Sequence, residues 1–187
     1  MALPKKQRTK NLIMHTAKEL FESRGIENVT FAEIAECADV CRTTVFNHFK
    51  CTNDLLFAIF VQEMQDLEEH CKSKDLQGLD FIKCFFHKLI EDMTHYPTLA
   101  IRLSNNAILS DLEPNPIVTV EQIMQNCLHE EGVTNPIESD YLAAMITGSY
   151  LGLATHYKTR KHDFEPEKMQ MVFDTMLKHI LGGYYHD

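Results

Sequence analysis

Val29-Thr-Phe-Ala-Glu-Ile-Ala-Glu-Cys-Ala-Asp-Val-Cys-Arg-Thr-Thr-Val-Phe-Asn-His-Phe-Lys-Cys-Thr-Asn-Asp-Leu-Leu-Phe57 is the stretch on which the fold of this 187-residue chain turns. Phe31, Ile34, Ala35 and Ala38 recur at i, i+3, i+4 and i+7, which places one apolar stripe on one face of a helix. Thr30 precedes that stripe and Glu33 follows three residues later, the pattern in which a hydroxyl and a carboxylate cap each other's backbone amides. Asp39, Val40 and Cys41 interrupt the pattern, and a second apolar set, Val45, Phe46 and Phe49, follows Arg42. Two short helices joined by a tight turn are the consequence, a helix-turn-helix. Val45 and Phe49 form an i, i+4 pair facing the core, so Arg42, Thr43, Thr44, Asn47, His48 and Lys50 face outward with no acidic residue among them. Such a face suits the DNA major groove, where phosphates take positive charge and donors and base edges take Arg, Asn or Thr.

Outward from this stretch the chain is ordinary in composition and long enough to bury a sizeable core. It has no apolar run of about 18 residues and no apolar signal-peptide core at its start, so neither a membrane span nor export is expected, and a cytoplasmic location follows. Glycine is sparse, and apolar residues recur at helical spacing almost throughout, which predicts an all-α fold. The net charge of −9 divides unevenly: residues 1–50 carry +2 and the remainder −11. A basic end on an acidic body orients one face toward a polyanion.

Lys5, Lys6, Arg8 and Lys10 lie in a segment without core periodicity and read as a basic arm, either touching phosphate or simply solvated. A first helix is predicted from Thr9 to Arg24, with Ile13, Ala17, Leu20 and Phe21 on one face and Gly25 ending it. A long helix follows from near Asn53 to Lys74, with Leu56, Phe60, Met64 and Leu67 on one face; about 22 residues span about 33 Å. Further helices are expected over 79–96, 98–111, 118–131 (after the Glu113-Pro-Asn-Pro loop and closed by Gly132), 137–159 and 166–181, the last ended by Gly182-Gly183. Ala144, Gly148 and Gly152 lie four apart in the 137–159 helix, where another backbone can approach closely. Nine helices result.

Ala17, Phe21, Gly25, Thr30, Ile34-Ala35, Val40, Thr44, the Phe46-Asn47-His48-Phe49 block and Leu55 fall in an order and spacing that resembles the tetracycline-repressor-like (TetR) family of bacterial transcriptional regulators. The resemblance covers about residues 9–57. It implies a DNA-binding domain over 1–51, a ligand-binding and dimerisation domain over 52–187, and an Ω-shaped homodimer joined by the last two helices. It also implies an effector pocket among helices 5 to 7 and a recognition helix over about Arg42 to Phe49. Five positions depart from the family pattern: Asp39 stands where Gly is usual, Cys41 for Ser, Phe46 for Tyr, and Cys51-Thr52 for Ser-Lys. Phe46 lacks a phosphate-touching hydroxyl and Thr52 lacks a cation, which moves backbone anchoring to Lys50, Thr44 and the basic arm.

The six cysteines form no CxxC pair, and a cytoplasmic setting disfavours structural disulfides. Cys41 and Cys51 fall at helix starts, where a thiolate is favoured, so they either form a redox switch or merely replace serine caps. The ten histidines show no metal-ligand pairing, and no metal or cofactor is expected. Phe60, Met64, Phe85, Phe86, Leu89, Met93, Met124 and Met145 line either an apolar effector cavity or the core. Asn105, Asn106 and Ser149 are the polar candidates for orienting a ligand. No nucleophile-base pair, phosphate loop or carboxylate pair supports catalysis.

The sequence therefore predicts a ligand-responsive repressor that binds a pseudo-palindromic double-stranded operator as a homodimer and is released by a small, apolar effector. Arg42, Thr43, Asn47 and His48 are the base-edge candidates, and Thr44, Lys50, Lys5, Lys6 and Arg8 the phosphate candidates. Two rivals remain open: a thiol-responsive regulator using Cys41 and Cys51, and a helical small-molecule-binding protein with weak DNA affinity.

Overall fold

The computed structural model describes residues 4–108 and 115–182, and among them the secondary structure is helical. Nine α-helices are present among the described residues: α1 (Lys5–Arg24), α2 (Phe31–Cys37), α3 (Arg42–His48), α4 (Thr52–Ser73), α5 (Gly78–His95), α6 (Pro97–Ile108), α7 (Pro116–Glu130), α8 (Pro136–Arg160) and α9 (Pro166–Ile180). A short 3-10 turn, Ile26–Asn28, which apolar periodicity does not announce, joins α1 to α2. The chain packs as two compact units, residues 1–63 with 96–103, and residues 64–95 with 104–187.

In the first unit, Ile13, Ala17 and Phe21 of α1 meet Ile34 of α2, Val45 of α3 and Leu55 and Ile59 of α4 in one buried cluster. Leu99 at the start of α6 completes it, only 2% exposed. The α1 carboxylates hold that start. Glu22 accepts from the Thr98 and Leu99 backbone N–H groups at 3.3 and 2.9 Å, and Glu19 accepts from the Tyr96 hydroxyl at 2.5 Å. The first amides of a helix lack intrahelical partners, so a carboxylate from another element satisfies them. Lys18 lies 4.7 Å above the Tyr96 ring while pairing with Glu63 at 2.6 Å, and Arg102 pairs with Glu27 at 2.8 Å.

The second unit is built on aromatic packing. Phe86 of α5 stands 4.8 Å from Phe173 of α9 and 5.8 Å from Tyr150 of α8, centroid to centroid, within the range where ring pairs attract beyond their area. Proline opens α7, α8 and α9, where its missing N–H costs nothing. The Asn115 and Asn135 side chains cap α7 and α8 by accepting from Ile117 and Ile137 N–H. At the other end of α7, Glu130 and Glu131 accept from the Gly78 and Leu79 N–H groups at 2.8 and 2.9 Å, so one helix terminus caps the start of another.

The structure corrects several expected boundaries. Lys5, Lys6, Arg8 and Lys10 are not an arm, because α1 begins at Lys5 directly after Pro4; lysine, glutamine and arginine are good helix formers, and helix does not require an apolar stripe in its first turns. The α7 helix begins at Pro116, two residues earlier than expected, because Asn115 caps it. Glu113, Pro114, Gly183 and the last residues of the 98–111 helix lie outside the described residues. Ala144, Gly148 and Gly152 are exposed, with nothing within 4 Å of either glycine's missing Cβ.

Candidate nucleic-acid interface

Reciprocal caps fix the entry of α2: the Glu33 N–H donates to Thr30 Oγ1 at 3.3 Å, and the Thr30 N–H donates to Glu33 Oε2 at 2.8 Å. The Thr30 bonds, backbone first, hold the Glu33 carboxyl below its ordinary range, and Arg24 adds an ion pair at 3.1 Å. At the exit, the Val40 N–H reaches the Ala35 carbonyl at 3.0 Å and the Asp39 N–H reaches Glu36 at 3.2 Å. That two-bond pattern requires a left-handed residue between helix and turn. Asp39 supplies it at φ +51°, so the position where the family pattern has Gly is the position where the backbone asks for it.

Cys41 then precedes α3 in an extended conformation, its carbonyl accepting from the Thr44 N–H at 2.8 Å while its thiol makes no cap. Val45 and Phe49 are buried against the first unit's core, which fixes the rotation of this seven-residue helix. Arg42, Thr43, Asn47 and Lys50 are consequently exposed, and Thr44 and His48 are half-buried. Phe46, the remaining member of that apolar set, is turned out of the core. It is 45% exposed, its ring 5.1 Å from Phe31, and the Arg42 guanidinium lies 5.4 Å from the Phe46 ring. Val45 in α3 and Phe49 just past its end are buried together, and Phe46, one residue on from Val45, falls about a hundred degrees from it around the helix. An Arg laid over a ring keeps its donors free while losing rotamer freedom in advance.

The α1 cations belong to the same surface. Burial first, then the Lys6 and Lys10 ammonium groups, hold the His48 imidazole below its ordinary range, which places both lysines in the electrostatic neighbourhood of α3. Lys10, named in the sequence only with the basic arm, joins this surface because α1 runs through residues 5–10. The Lys50 N–H donates to Asp54 Oδ2 at 3.0 Å, and the Cys51 carbonyl accepts from Leu55 N–H, so α4 starts without the usual Ser-Lys pair.

The effector candidates fare differently. Phe60 belongs to the first unit and the other ten ligand-site candidates to the second. Phe85, Phe86, Met93 and Met124 are sealed at 0–2% exposure, Met64 is buried, and Phe60 and Leu89 are half-buried. Asn105, Asn106 and Met145 are exposed, and the half-buried Ser149 hydroxyl donates to the Met145 carbonyl of its own helix. The list is thus not one lining. The inward face of α8 instead carries Thr147 and Tyr150; the Tyr150 hydroxyl donates to Met93 Sδ at 3.6 Å, and the buried Thr147 hydroxyl has no partner among the described protein atoms. The i, i+3, i+4 series Ala143, Ile146, Thr147, Tyr150 marks that face in the sequence, and Ser149 falls off it. A surface groove of about 430 Å³ lies between α5 and α9, bordered by His87, Gln170, Asp174 and Lys178, with His87 Nε2 2.7 Å from Asp174 Oδ1.

An all-α chain whose N-terminal unit presents a capped two-helix reader is a helix-turn-helix protein. Residues 13–59 match the model of the family described as bacterial regulatory proteins, tetR family. It is 22% identical over 177 residues to a protein named probable acrEF/envCD operon repressor of Escherichia coli strain K12, across 80% of this chain and 76% of that one. The fold is shared with a structure titled as a SmeT–triclosan complex (TM-score 0.68, 17% identity, 97% of this chain and 93% of that one). It is also shared with Thermus thermophilus FadR in complex with lauroyl-CoA (TM-score 0.65, 21% identity, 95% and 96%).

Proposed function

We propose that this protein is a cytoplasmic transcriptional repressor that binds a pseudo-palindromic operator as a homodimer and lets go when a small, largely apolar effector binds. The observation that carries the reading is the exposed face of α3. Arg42, Thr43 and Asn47 stand clear of the core there with no acidic neighbour on the helix, and Lys6 and Lys10 of α1 lie in the field of His48. Base-edge donors flanked by cations are what major-groove readout uses. In this assignment Arg42, Thr43, Asn47 and His48 read bases, and Thr44, Lys50, Lys5, Lys6, Arg8 and Lys10 meet phosphate.

Residues 1–51 would then be the DNA-binding domain and 52–187 the domain for effector and dimer. The relatives bound to triclosan and lauroyl-CoA support an apolar effector, and Thr147 and Tyr150 supply buried polar atoms to orient it. The helices α4 and α6 each run from one compact unit into the other, so a shift in the second unit reaches the reader through continuous backbone. Release requires the effector to prefer the low-affinity state; a 100-fold preference is about 2.7 kcal/mol of coupling. The exposed Ile137, Tyr141 and Met145 of α8 and Met171 of α9 support a second copy packing on these two helices.

The test is operator selection followed by titration of Arg42→Ala. Loss of about 1–3 kcal/mol on the selected site, with affinity for random duplex nearly unchanged, is the expected result. Equal affinity of parent and variant for selected and random DNA would sink the repressor reading.

A further inference from the structure

The outward face of α3 is polar except at Phe46, which stands nearly half exposed beside Arg42, Thr43 and Asn47. A ring left in water forgoes the gain of burial, so its presence there asks for a reason. Packing does not supply one, because Val45 and Phe49 already seat the helix on the first unit's core. The ring is nevertheless held. It rests on Phe31 of α2, with centroids 5.1 Å apart and planes at 59°, and Phe31 packs against that core. One helical turn before Phe46, Arg42 lays its guanidinium 5.4 Å from the Phe46 centroid. Arg24 and Arg102 pair with carboxylates, whereas Arg42 has no carboxylate within ion-pair distance among the described residues. A continuous stack therefore runs outward from the core through Phe31 and Phe46 and ends in the exposed cation of Arg42.

We propose that Phe46 reads DNA together with Arg42: it fixes the guanidinium for a guanine and sets its own ring against the 5-methyl group of a thymine in the neighbouring base pair. The proposal rests on the reading of α3 as the helix that enters the major groove. There, an arginine that donates to guanine O6 and N7 lies in the plane of that base pair. A ring packed over the guanidinium is displaced from that plane along the duplex, where successive pairs follow at about 3.4 Å. It thus meets the level of the next pair. The apolar group that a base edge presents in this groove is the thymine methyl, and a phenyl ring has no hydrogen bond to offer the others. Phenylalanine in place of the family pattern's tyrosine then exchanges a phosphate contact, which carries no sequence information, for a base contact, which does. Because Phe31 and Phe46 restrict the guanidinium before DNA arrives, less of its rotamer freedom is lost on binding. The expected half-site contains a guanine beside an A·T pair.

The full chain first selects a site from a random-sequence duplex pool, and atom-scale changes are then made in the selected duplex. Replacing each guanine by 7-deazaguanine, with the parent and with Arg42→Ala, finds the guanine that Arg42 reads: loss of its N7 should weaken the parent about tenfold and the variant little. Replacing each thymine by uracil removes one methyl group. At a thymine in the base pair next to that guanine, uracil should weaken the parent about fourfold. Phe46→Ala (or Phe46→Gln, should alanine impair folding) should bind the thymine and uracil duplexes equally. Phe46→Leu, apolar but without a ring face, should shrink the 7-deazaguanine effect, and Phe46→Tyr, which keeps the ring, should preserve it. A merely structural role for the ring would weaken all duplexes alike. If the parent binds selected and random duplex equally, the repressor reading falls and this proposal with it. If the parent prefers the selected site, three results overturn the proposal alone: a uracil penalty that persists in Phe46→Ala, mapped base pairs that are not neighbours, or one and the same 7-deazaguanine effect in Phe46→Leu and Phe46→Tyr.

Discussion

Asp39 is a residue whose conformation, rather than its side chain, is under demand. It takes φ +51° because the turn between α2 and α3 needs a left-handed residue, and aspartate tolerates that region at a cost glycine does not incur. Asp39→Gly should therefore stabilise the chain by up to about 1 kcal/mol, read as a higher denaturation midpoint at unchanged slope. His48 adds a pH dependence of fixed sign. Its folded value lies below the ordinary 6.5, so the folded chain binds fewer protons than the unfolded one between those two values. Stability is thus complete above about pH 6.5 and falls as the solution is acidified through that window. His48→Gln should flatten the thermal-midpoint profile below about pH 6.5 relative to the parent; a profile as steep as the parent's would place the proton elsewhere. Arg42 was legible in the sequence as a donor on an outward face. Its seat over Phe46 was not, because periodicity assigns an aromatic residue to the core and only the two-turn length of α3 turns it out.

At the scale of elements, caps were the most legible feature and inter-helix caps the least. The Thr30–Glu33 pair is written at fixed spacing and forms as written; Thr30→Ala should cost about 1 kcal/mol by chemical denaturation. The capture of the α5 start by Glu130 and Glu131 joins groups more than fifty residues apart, which no local pattern encodes. Gly78 makes that capture possible. It has φ +54°, and an added Cβ would lie 1.8 Å from Glu131 Oε1. Gly78→Ala should cost about 1–3 kcal/mol, combining backbone strain with loss of the carboxylate cap. If Gly78→Ala melts with the parent, the carboxylate is not holding the helix. The effector candidates illustrate the same limit: helical spacing groups residues by face, but which face is inward depends on partners, and α8 turned Thr147 and Tyr150 in and Met145 out.

For the molecule as a whole, the all-α class followed from pattern alone, whereas the grouping of helices into units did not, since residues 96–103 pack with a segment far upstream. The charge division has a measurable consequence. With +2 on residues 1–50 and −11 beyond, affinity for any duplex rests on few cations. Each of Lys6→Ala and Lys10→Ala should reduce the slope of log K against log salt by about 0.9 while leaving sequence preference intact. A variant that changes preference but not slope would reassign that lysine from phosphate to bases. The apolar strip on α8 belongs to this scale too: for the proposed homodimer, changing Tyr141, 67% exposed, and Met145, 52% exposed, both to glutamate should give a monomer by light scattering and loss of half-site pairing on the operator.

The capture of α6's first turn by Glu19 and Glu22 also sets an order of events during synthesis. A ribosome releases α1, α2 and α3 well before it releases Leu99, yet Leu99 belongs to their buried cluster and Tyr96 to their polar edge. The nascent reading head must wait, part-finished, while the whole of α5 emerges. A chain halted at Glu63 would hold α3 on an incomplete core, so the first unit closes its core only after α5, which belongs to the second unit, has been made.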